Sequence, residues 1–457
     1  MGGNRHGAHE KTHVRRSRSR YSFPMANIPL NGLRIGTASA GLQIEGSPQP
    51  SNWTEWAAAG TIADGTTPDP TTDHWRRWRE DNELMERLEY PIARVGVEWS
   101  RVEPRPGEFD EEALARYAEE YRDLTARGIE PLVTLHHFGQ PLWLERRGGW
   151  TNPEIVPLFL RYVNRVLDAL GDIVTDWVTI NEPNVFATEA YLFGSTPPGT
   201  GGYRAVRACL QNMAAAHLQA YELLHARLDN PTVTFAHHKR VFAPANRANP
   251  VHRALTPLVE YLFQGVVEKA FYRGVFDRVL GRPRSLPADF TPKGVYADAI
   301  AINYYSRTAV KGFDDATFPG RPTNDLGWEI YPRGIAEVSA PLAREYGLPI
   351  WITENGTADN SESFRCGFIL DHLAELARLN AEPGGVRVER YYHWCFVDNW
   401  EWSEGMAQHF GVVGLDENLD RHVKPAGYML RDLNRAGAIT PEIVETYREA
   451  PAGGVDP

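Results

Sequence analysis

The sequence predicts an α/β fold, a single (β/α)8 barrel with elaborated loops on its C-terminal face. Three observations lead there. From Leu33 onward, short β-type runs alternate with helical patterns, the order of a parallel sheet wound by helices. There are eight such runs, the number that closes the sheet on itself. No linker rich in Pro, Ser or Gly, no compositional break and no internal repeat divides residues 30–450, so the 457 residues read as one barrel with insertions rather than two or three smaller domains. The expected organisation is a barrel over residues 29–457 behind a basic, disordered extension of residues 1–28.

The expected strands are Leu33–Ser39, Ile92–Val97, Leu132–His136, Trp177–Ile180, Thr232–Ala236, Ala299–Tyr304, Ile350–Thr353 and Tyr391–Phe396. Between them, helical rhythm marks Glu111–Arg127, Ala205–Leu228 and Phe368–Leu379. The helix after the third strand is the clearest. Asn152 suits its cap and Pro153 its first turn; Ile155, Leu158, Phe159, Tyr162, Val163, Val166 and Leu170 recur at helical spacing, and Gly171 ends it. After the fourth strand, the Gly/Pro-rich stretch Ser195–Gly202 reads as an active-site loop.

Charge and cysteine usage narrow the partners. Residues 1–20 hold six Lys/Arg against one acid, so a net charge of −11 leaves the rest near −16. That acidic body argues against nucleic acid and anionic membrane. The Arg15–Arg20 run has the basic character of a twin-arginine or transit signal, but no apolar segment follows it, and Met25 reads as the start of the domain. No apolar run approaches the roughly 18 residues needed to span a bilayer. Cys209, Cys366 and Cys395, odd in number and far apart, read as free thiols of a reducing compartment, here the cytoplasm.

Barrel enzymes work at the C-terminal rim, so polar groups are expected just past each strand. In order these are Gln43, Arg94, His137, Asn181 with Glu182, His237 with His238, Asn303 with Tyr305, Glu354, and Trp394 with Glu401 and Trp402. Glu182 and Glu354 each close a β-type run. Two carboxyls facing one sugar, one protonated and one ionised, are the minimum machinery for breaking a glycosidic bond. Amides, imidazoles and indoles suit a neutral polyhydroxylated ligand. No phosphate-binding glycine loop or cofactor lysine is present, so no cofactor is expected. Neighbouring histidines on a strand point to opposite faces, so neither His136–His137 nor His237–His238 suits a shared metal, and one of each pair is expected to pack.

These residues carry a family resemblance. Thr179-Ile-Asn-Glu-Pro183 resembles the acid/base motif of the family 1 glycoside hydrolases, the β-glucosidase and β-galactosidase family on a (β/α)8 barrel. Ile352-Thr-Glu-Asn-Gly356 resembles its nucleophile motif. Gln43-Ile-Glu-Gly46, Arg94–Val102, Gly327-Trp-Glu-Ile-Tyr-Pro332 and Asp398-Asn-Trp-Glu-Trp402 with Phe410-Gly411 follow in register over residues 30–435. His136-His137-Phe138-Gly139 stands where many members have Tyr-His-Trp-Asp, which is similar to archaeal and some bacterial members.

The resemblance implies a retaining β-glycosidase with Glu182 as acid/base and Glu354 as nucleophile, supported by Arg94, Tyr305 and Asn181. It implies sugar contacts from Gln43, His137, Asn181, Asn303, Trp394 (the platform under the ring), Glu401, Trp402 and Phe410. The implied substrates are small β-glycosides or short oligosaccharides with a terminal β-D-glucosyl, galactosyl or fucosyl residue, with transglycosylation as a side activity and self-association left open. Phosphorylated sugars are disfavoured, because Glu401 would repel the phosphate and Gln408 supplies no cation.

Overall fold

The computed structural model describes residues 26–312, 316–383 and 385–448. Eight parallel strands form a closed barrel in chain order: β1 (Arg34–Ala38), β2 (Ile92–Gly96), β3 (Glu130–Thr134), β4 (Asp176–Asn181), β5 (Thr232–Pro244), β6 (Ile300–Val310), β7 (Ile350–Asn355) and β8 (Val388–Trp394), with β8 pairing back on β1. The predicted barrel is therefore present.

Side chains alternate along each strand, one face to the barrel interior and one to the helices. Ile35, Val95, Val133, Trp177, Phe235, Ile302 and Ile352 belong to the large core between barrel and helices. Ile92, Leu132, Val178, Ala236, Trp351 and Tyr392 form a separate apolar plug inside. Below the plug, near the strand starts, Arg390 bridges Asp176 (2.7 Å) and Glu130 (2.5 Å), and Arg34 reaches Glu130 at 2.8 Å. The plug fills the barrel interior with apolar side chains beneath its mouth.

The helices fall close to their expected places, at Glu111–Ala126, Ile155–Leu170, Tyr203–Arg227 and Arg365–Ala381. The second starts later than Asn152 and Pro153 suggest. A short 3-10 turn, Gly149–Thr151, comes first, and Asn152 Oδ1 accepts from the Glu154 amide (3.0 Å) ahead of the helix.

Two strands are longer than expected. Instead of ending at Ala236 and Tyr304, β5 and β6 continue as a paired ribbon to Pro244 and Val310. Lys239, Arg240 and Arg307 interrupt the apolar pattern there and conceal it. Pairing supplies the backbone bonds, while the Lys239–Glu268 and Arg307–Glu329 (2.5 Å) contacts accommodate the charges. The eighth strand also shifts earlier, from Tyr391–Phe396 to Val388–Trp394.

At the chain start, Ile28–Pro29 pairs antiparallel with Ala438–Ile439, which moves the expected boundary at residue 29 to include Ile28. Residues 1–25, with the Arg15–Arg20 run, lie outside the described residues. Among the described residues no helix is long and apolar enough to cross a membrane.

Candidate active site

Glu182 sits where β4 turns into the short helix Pro183–Thr188. Proline fixes the first helical turn, and Glu182 takes a left-handed backbone, φ +43°, an uncommon state for a non-glycine residue. It is held there by bonds from its amide to Ala236 O (2.8 Å) and from the Phe186 amide to its own carbonyl (3.0 Å). The side chain turns into the barrel mouth. Its Oε1 accepts from Asn303 Nδ2 (2.9 Å) and lies 2.8 Å from His238 Nδ1, whereas Oε2 accepts from no donor among the described residues.

Glu354 lies in β7, opposite. Its oxygens have separate donors: Arg94 Nη1 reaches Oε1 at 2.5 Å and the Tyr305 hydroxyl reaches Oε2 at 2.6 Å. Arg94 is fully buried and also donates to Asn181 Oδ1 (2.7 Å) and Thr134 Oγ1 (3.1 Å). Asn303 Nδ2 donates to Asn181 Oδ1 (3.0 Å) as well as to Glu182, and its Oδ1 accepts from Thr353 (2.7 Å). One continuous network thus joins the two carboxylates. The β7 end lies so close to β8 that a Cβ on Gly356 would stand 2.0 Å from Trp394 O, which explains the glycine after Glu-Asn. Burial and the neighbouring Glu182 charge push Glu354 up to about 7, against Arg94 and Tyr305.

A second cluster completes the mouth. Gln43 Nε2 donates to Asn399 Oδ1 (3.0 Å), Trp400 O (2.9 Å) and Glu401 Oε2 (3.3 Å), and Trp394 Nε1 donates to Glu401 Oε1 (3.2 Å). Burial pushes Glu401 up to about 8. The His137 ring stacks on Trp394 (5.5 Å) and Trp402 (6.0 Å), and burial beside Arg94 holds it well below the usual imidazole range, hence neutral. Asn181 Oδ1 is occupied as an acceptor, so its amide donates to His137 Nε2 (3.1 Å) and the imidazole proton lies on Nδ1. That Nδ1 and Gln43 Oε1 are buried with no protein partner among the described residues, one a donor and one an acceptor. Unsatisfied buried polar atoms at the barrel mouth are what a polyhydroxylated ligand would complete.

The family model Glycosyl hydrolase family 1 matches residues 30–438. The chain belongs to glycosyl hydrolase family 1. This family 1 glycosidase is 30% identical to Beta-glucosidase A of Thermotoga maritima, over 87% of this chain and 95% of that one. It is 29% identical to the Beta-galactosidase of Saccharolobus solfataricus, over 93% and 97%. Among solved structures it superposes on a β-glycosidase from Pyrococcus horikoshii with TM-score 0.83 at 29% identity, covering 93% of this chain and 99% of that one. On the T. maritima β-glucosidase in complex with deoxynojirimycin it gives 0.80 at 28%, covering 89% and 98%. The family 1 chain is accordingly a glycoside hydrolase similar to archaeal and bacterial members.

Of the residues predicted from sequence, Arg94, Asn181, Glu182, Asn303, Tyr305, Glu354 and His137 fall into one network, and Gln43, Trp394, Glu401 and Trp402 into the adjoining one. Phe410 is buried against the exposed Trp328 (6.2 Å), in the apolar cluster that holds Trp394. His136 packs outward against Trp150 and Phe186, opposite to His137. Sequence reasoning assigned no role to His238, Arg240 or Asn399, nor to Trp53, whose ring supports Trp402 at 4.8 Å. Trp328, packed edge-on to Tyr305 at 5.6 Å, lay within a quoted motif and was equally unassigned. Among the described residues no group of three or more His, Cys, Asp or Glu is placed to hold a metal.

Proposed function

We propose that the protein is a retaining exo-β-glycosidase that releases terminal non-reducing β-D-glucosyl residues, and galactosyl or fucosyl ones, by double displacement. Glu354 attacks the anomeric carbon as Glu182 protonates the aglycone oxygen. The bond to Glu354 forms as the glycosidic C–O bond breaks, giving a covalent glycosyl-enzyme. Glu182, now ionised, takes a proton from water, whose oxygen displaces Glu354 and restores the β-configuration. An alcohol in place of water gives transglycosylation.

The observation carrying this reading is the unequal furnishing of the two carboxylates. Glu354 has a cation on one oxygen and a phenol on the other, which favours the ionised form; Glu182 has a bare oxygen free to hold a proton. Close buried carboxyls cannot both ionise easily, so the pair retains one proton near neutrality. Gln43, His137 and Trp402 are assigned to the 3- and 4-hydroxyls and Glu401 to the 4- and 6-hydroxyls. Asn181 is assigned to the 2-hydroxyl, with Trp394 beneath the ring. With Glu401 pushed up to about 8, it is Gln408, which supplies no cation, that disfavours a 6-phosphate. The names of relatives, β-glucosidases and β-galactosidases, support the substrate class. Three unbridged cysteines agree with a reducing, cytoplasmic setting.

Glu354→Gly is expected to abolish hydrolysis yet couple α-glucosyl fluoride to an acceptor. Glu182→Ala is expected to impair substrates with poor leaving groups far more than nitrophenyl glycosides, with azide giving β-glycosyl azide. Hydrolysis by Glu354→Gly at the parental rate would refute the assignment. A panel of nitrophenyl glucoside, galactoside, fucoside and mannoside ranks the sugars.

A further inference from the structure

We propose that His238 and Arg240, both on the β5 extension, are positioning residues that keep the carboxyl pair's proton on Glu182, at Oε2. The inference rests on the reading of Glu182 as the acid.

Arg240 Nε lies 2.9 Å from His238 Nε2, and His238 Nδ1 lies 2.8 Å from Glu182 Oε1. A guanidinium N–H can only donate, so Nε2 must present its lone pair. The ring then holds a single proton, on Nδ1, and is neutral. Asn303 Nδ2 and His238 Nδ1–H both point at Glu182 Oε1, so a proton on this carboxyl sits on Oε2.

The neutrality matters. Burial pushes the Glu182 carboxyl up, but a charge on His238, then the hydrogen bonds from His238 and Asn303 and the Arg94 charge, together hold it below the usual glutamate value. A charged His238, the largest of these, leaves the pair's proton on Glu354. That order is the reverse of what double displacement needs. With Arg240 capping Nε2 the positive charge is removed from the His238 ring, and Arg94 with Tyr305 then decides in favour of ionised Glu354.

The ring is well fixed. It lies nearly parallel to Tyr305 (5.9 Å, 19°), the phenol that donates to Glu354, and edge-on to Phe263 (6.0 Å). Asn184 Nδ2 anchors its carbonyl at 2.9 Å. Among the described residues, the titratable or charged groups facing it are Glu182 from the end of β4, Tyr305 from β6 and Arg240 from β5 itself; the segment Tyr261–Gly265 contributes the uncharged Phe263. Lys239 is engaged with Glu268, and burial holds the adjacent His237 well below the usual imidazole range. Arg240 is steadied by its guanidinium over the Phe263 ring (5.2 Å) and by its amide bond to Gln264 Oε1 (3.1 Å).

The test is the pH dependence of kcat/KM on an alkyl glucoside, whose poor leaving group makes the acid essential. Arg240→Gln frees Nε2 to take a proton. The basic limb, which reports loss of the acid's proton, is expected to move down by about one pH unit. In a His238→Asn background the same Arg240→Gln change should leave the limb in place, there being no imidazole to charge. A limb unmoved by Arg240→Gln, or moved equally in both backgrounds, overturns the proposal. In the unsubstituted enzyme labelled with nitrogen-15 histidine, the His238 signal, assigned by its loss in His238→Asn, is expected to show the Nδ1-protonated neutral tautomer at the pH of the activity assay. A doubly protonated ring at that pH overturns it without any variant needing to fold as the parent does. Absence of azide rescue and of leaving-group dependence in Glu182→Ala would instead sink the reading of Glu182, independently of the His238 results.

Discussion

At the scale of single residues, the proposed division of labour depends on how the environment treats two glutamates of the same chemistry. Tyr305 offers the cleanest probe, because its hydroxyl is the donor to Glu354 Oε2 and Arg94 stays in place without it. A donor to the charged form lowers a carboxyl's pKa, so Tyr305→Phe raises that of Glu354 and moves the acidic limb of kcat/KM to higher pH. A hydrogen bond to a charged group is worth about 1.5–3 kcal/mol, so a loss of about 10- to 100-fold in kcat/KM is expected on a nitrophenyl glucoside. An acidic limb that stays put would show that the phenol does not support an ionised nucleophile. Glu182, Glu354 and Arg94 were legible in the sequence because each sits at a strand end or within one, inside a dense local motif. His238 was noticed only as a strand-end position. Its partners, Glu182 and Arg240, meet it because β5 continues past the barrel and keeps residues 238 and 240 on one face. Nothing in the charged stretch Lys239-Arg240 signals that continuation.

At the scale of elements, alternation and β-type runs disclosed all eight strands, but local propensity set their ends wrongly wherever pairing with a neighbour outweighed it. Equally hidden was a buried ion cluster joining the helix His74–Arg87 to the helix Glu111–Ala126. His74 Nδ1 lies 2.7 Å from Asp81 and Nε2 2.9 Å from Glu120, while Arg421 from a distant strand binds Asp81 at 2.7 Å. Burial alone would lower the His74 pKa, but Glu120 and Asp81 outweigh it and raise it from 6.5 to about 9. A raised folded-state pKa means the stabilisation is fully present below the unfolded value and is lost as pH climbs through the folded one. Stability is therefore expected to fall between about pH 6.5 and 9, by at most about 3 kcal/mol from this group. Thermal melts across that range check it, and His74→Gln should both lower Tm at pH 6 and flatten the slope. A slope retained in His74→Gln would assign the loss to other groups.

At the scale of the whole molecule, the two ends of the described chain meet beneath the barrel. Ile28–Pro29 pairs with Ala438–Ile439, the amide of buried Leu30 donates to Gly437 O (2.9 Å), and Asn434 bonds both the amide and carbonyl of Ile35 in β1 (3.2 and 2.9 Å). The helix Pro425–Ala436 is thereby clamped to the first strand, so the last helical layer and the barrel should unfold together as one domain. Deleting residues 1–25 leaves every bond just named in place. Deleting residues 1–30 removes the strand pair, the Leu30 hydrogen bond and the Leu30 side chain. Burial of one leucine at about 1.5–3 kcal/mol and a few hydrogen bonds at about 1 kcal/mol each put the loss near 3–5 kcal/mol. Because the clamp acts on β1, which leads directly to Gln43, activity and near-ultraviolet circular dichroism should melt at one lowered temperature in the shorter chain. Were the circular dichroism transition to split in two, with activity following the later step, the C-terminal helix would be a detachable appendage and the single-domain reading would fail.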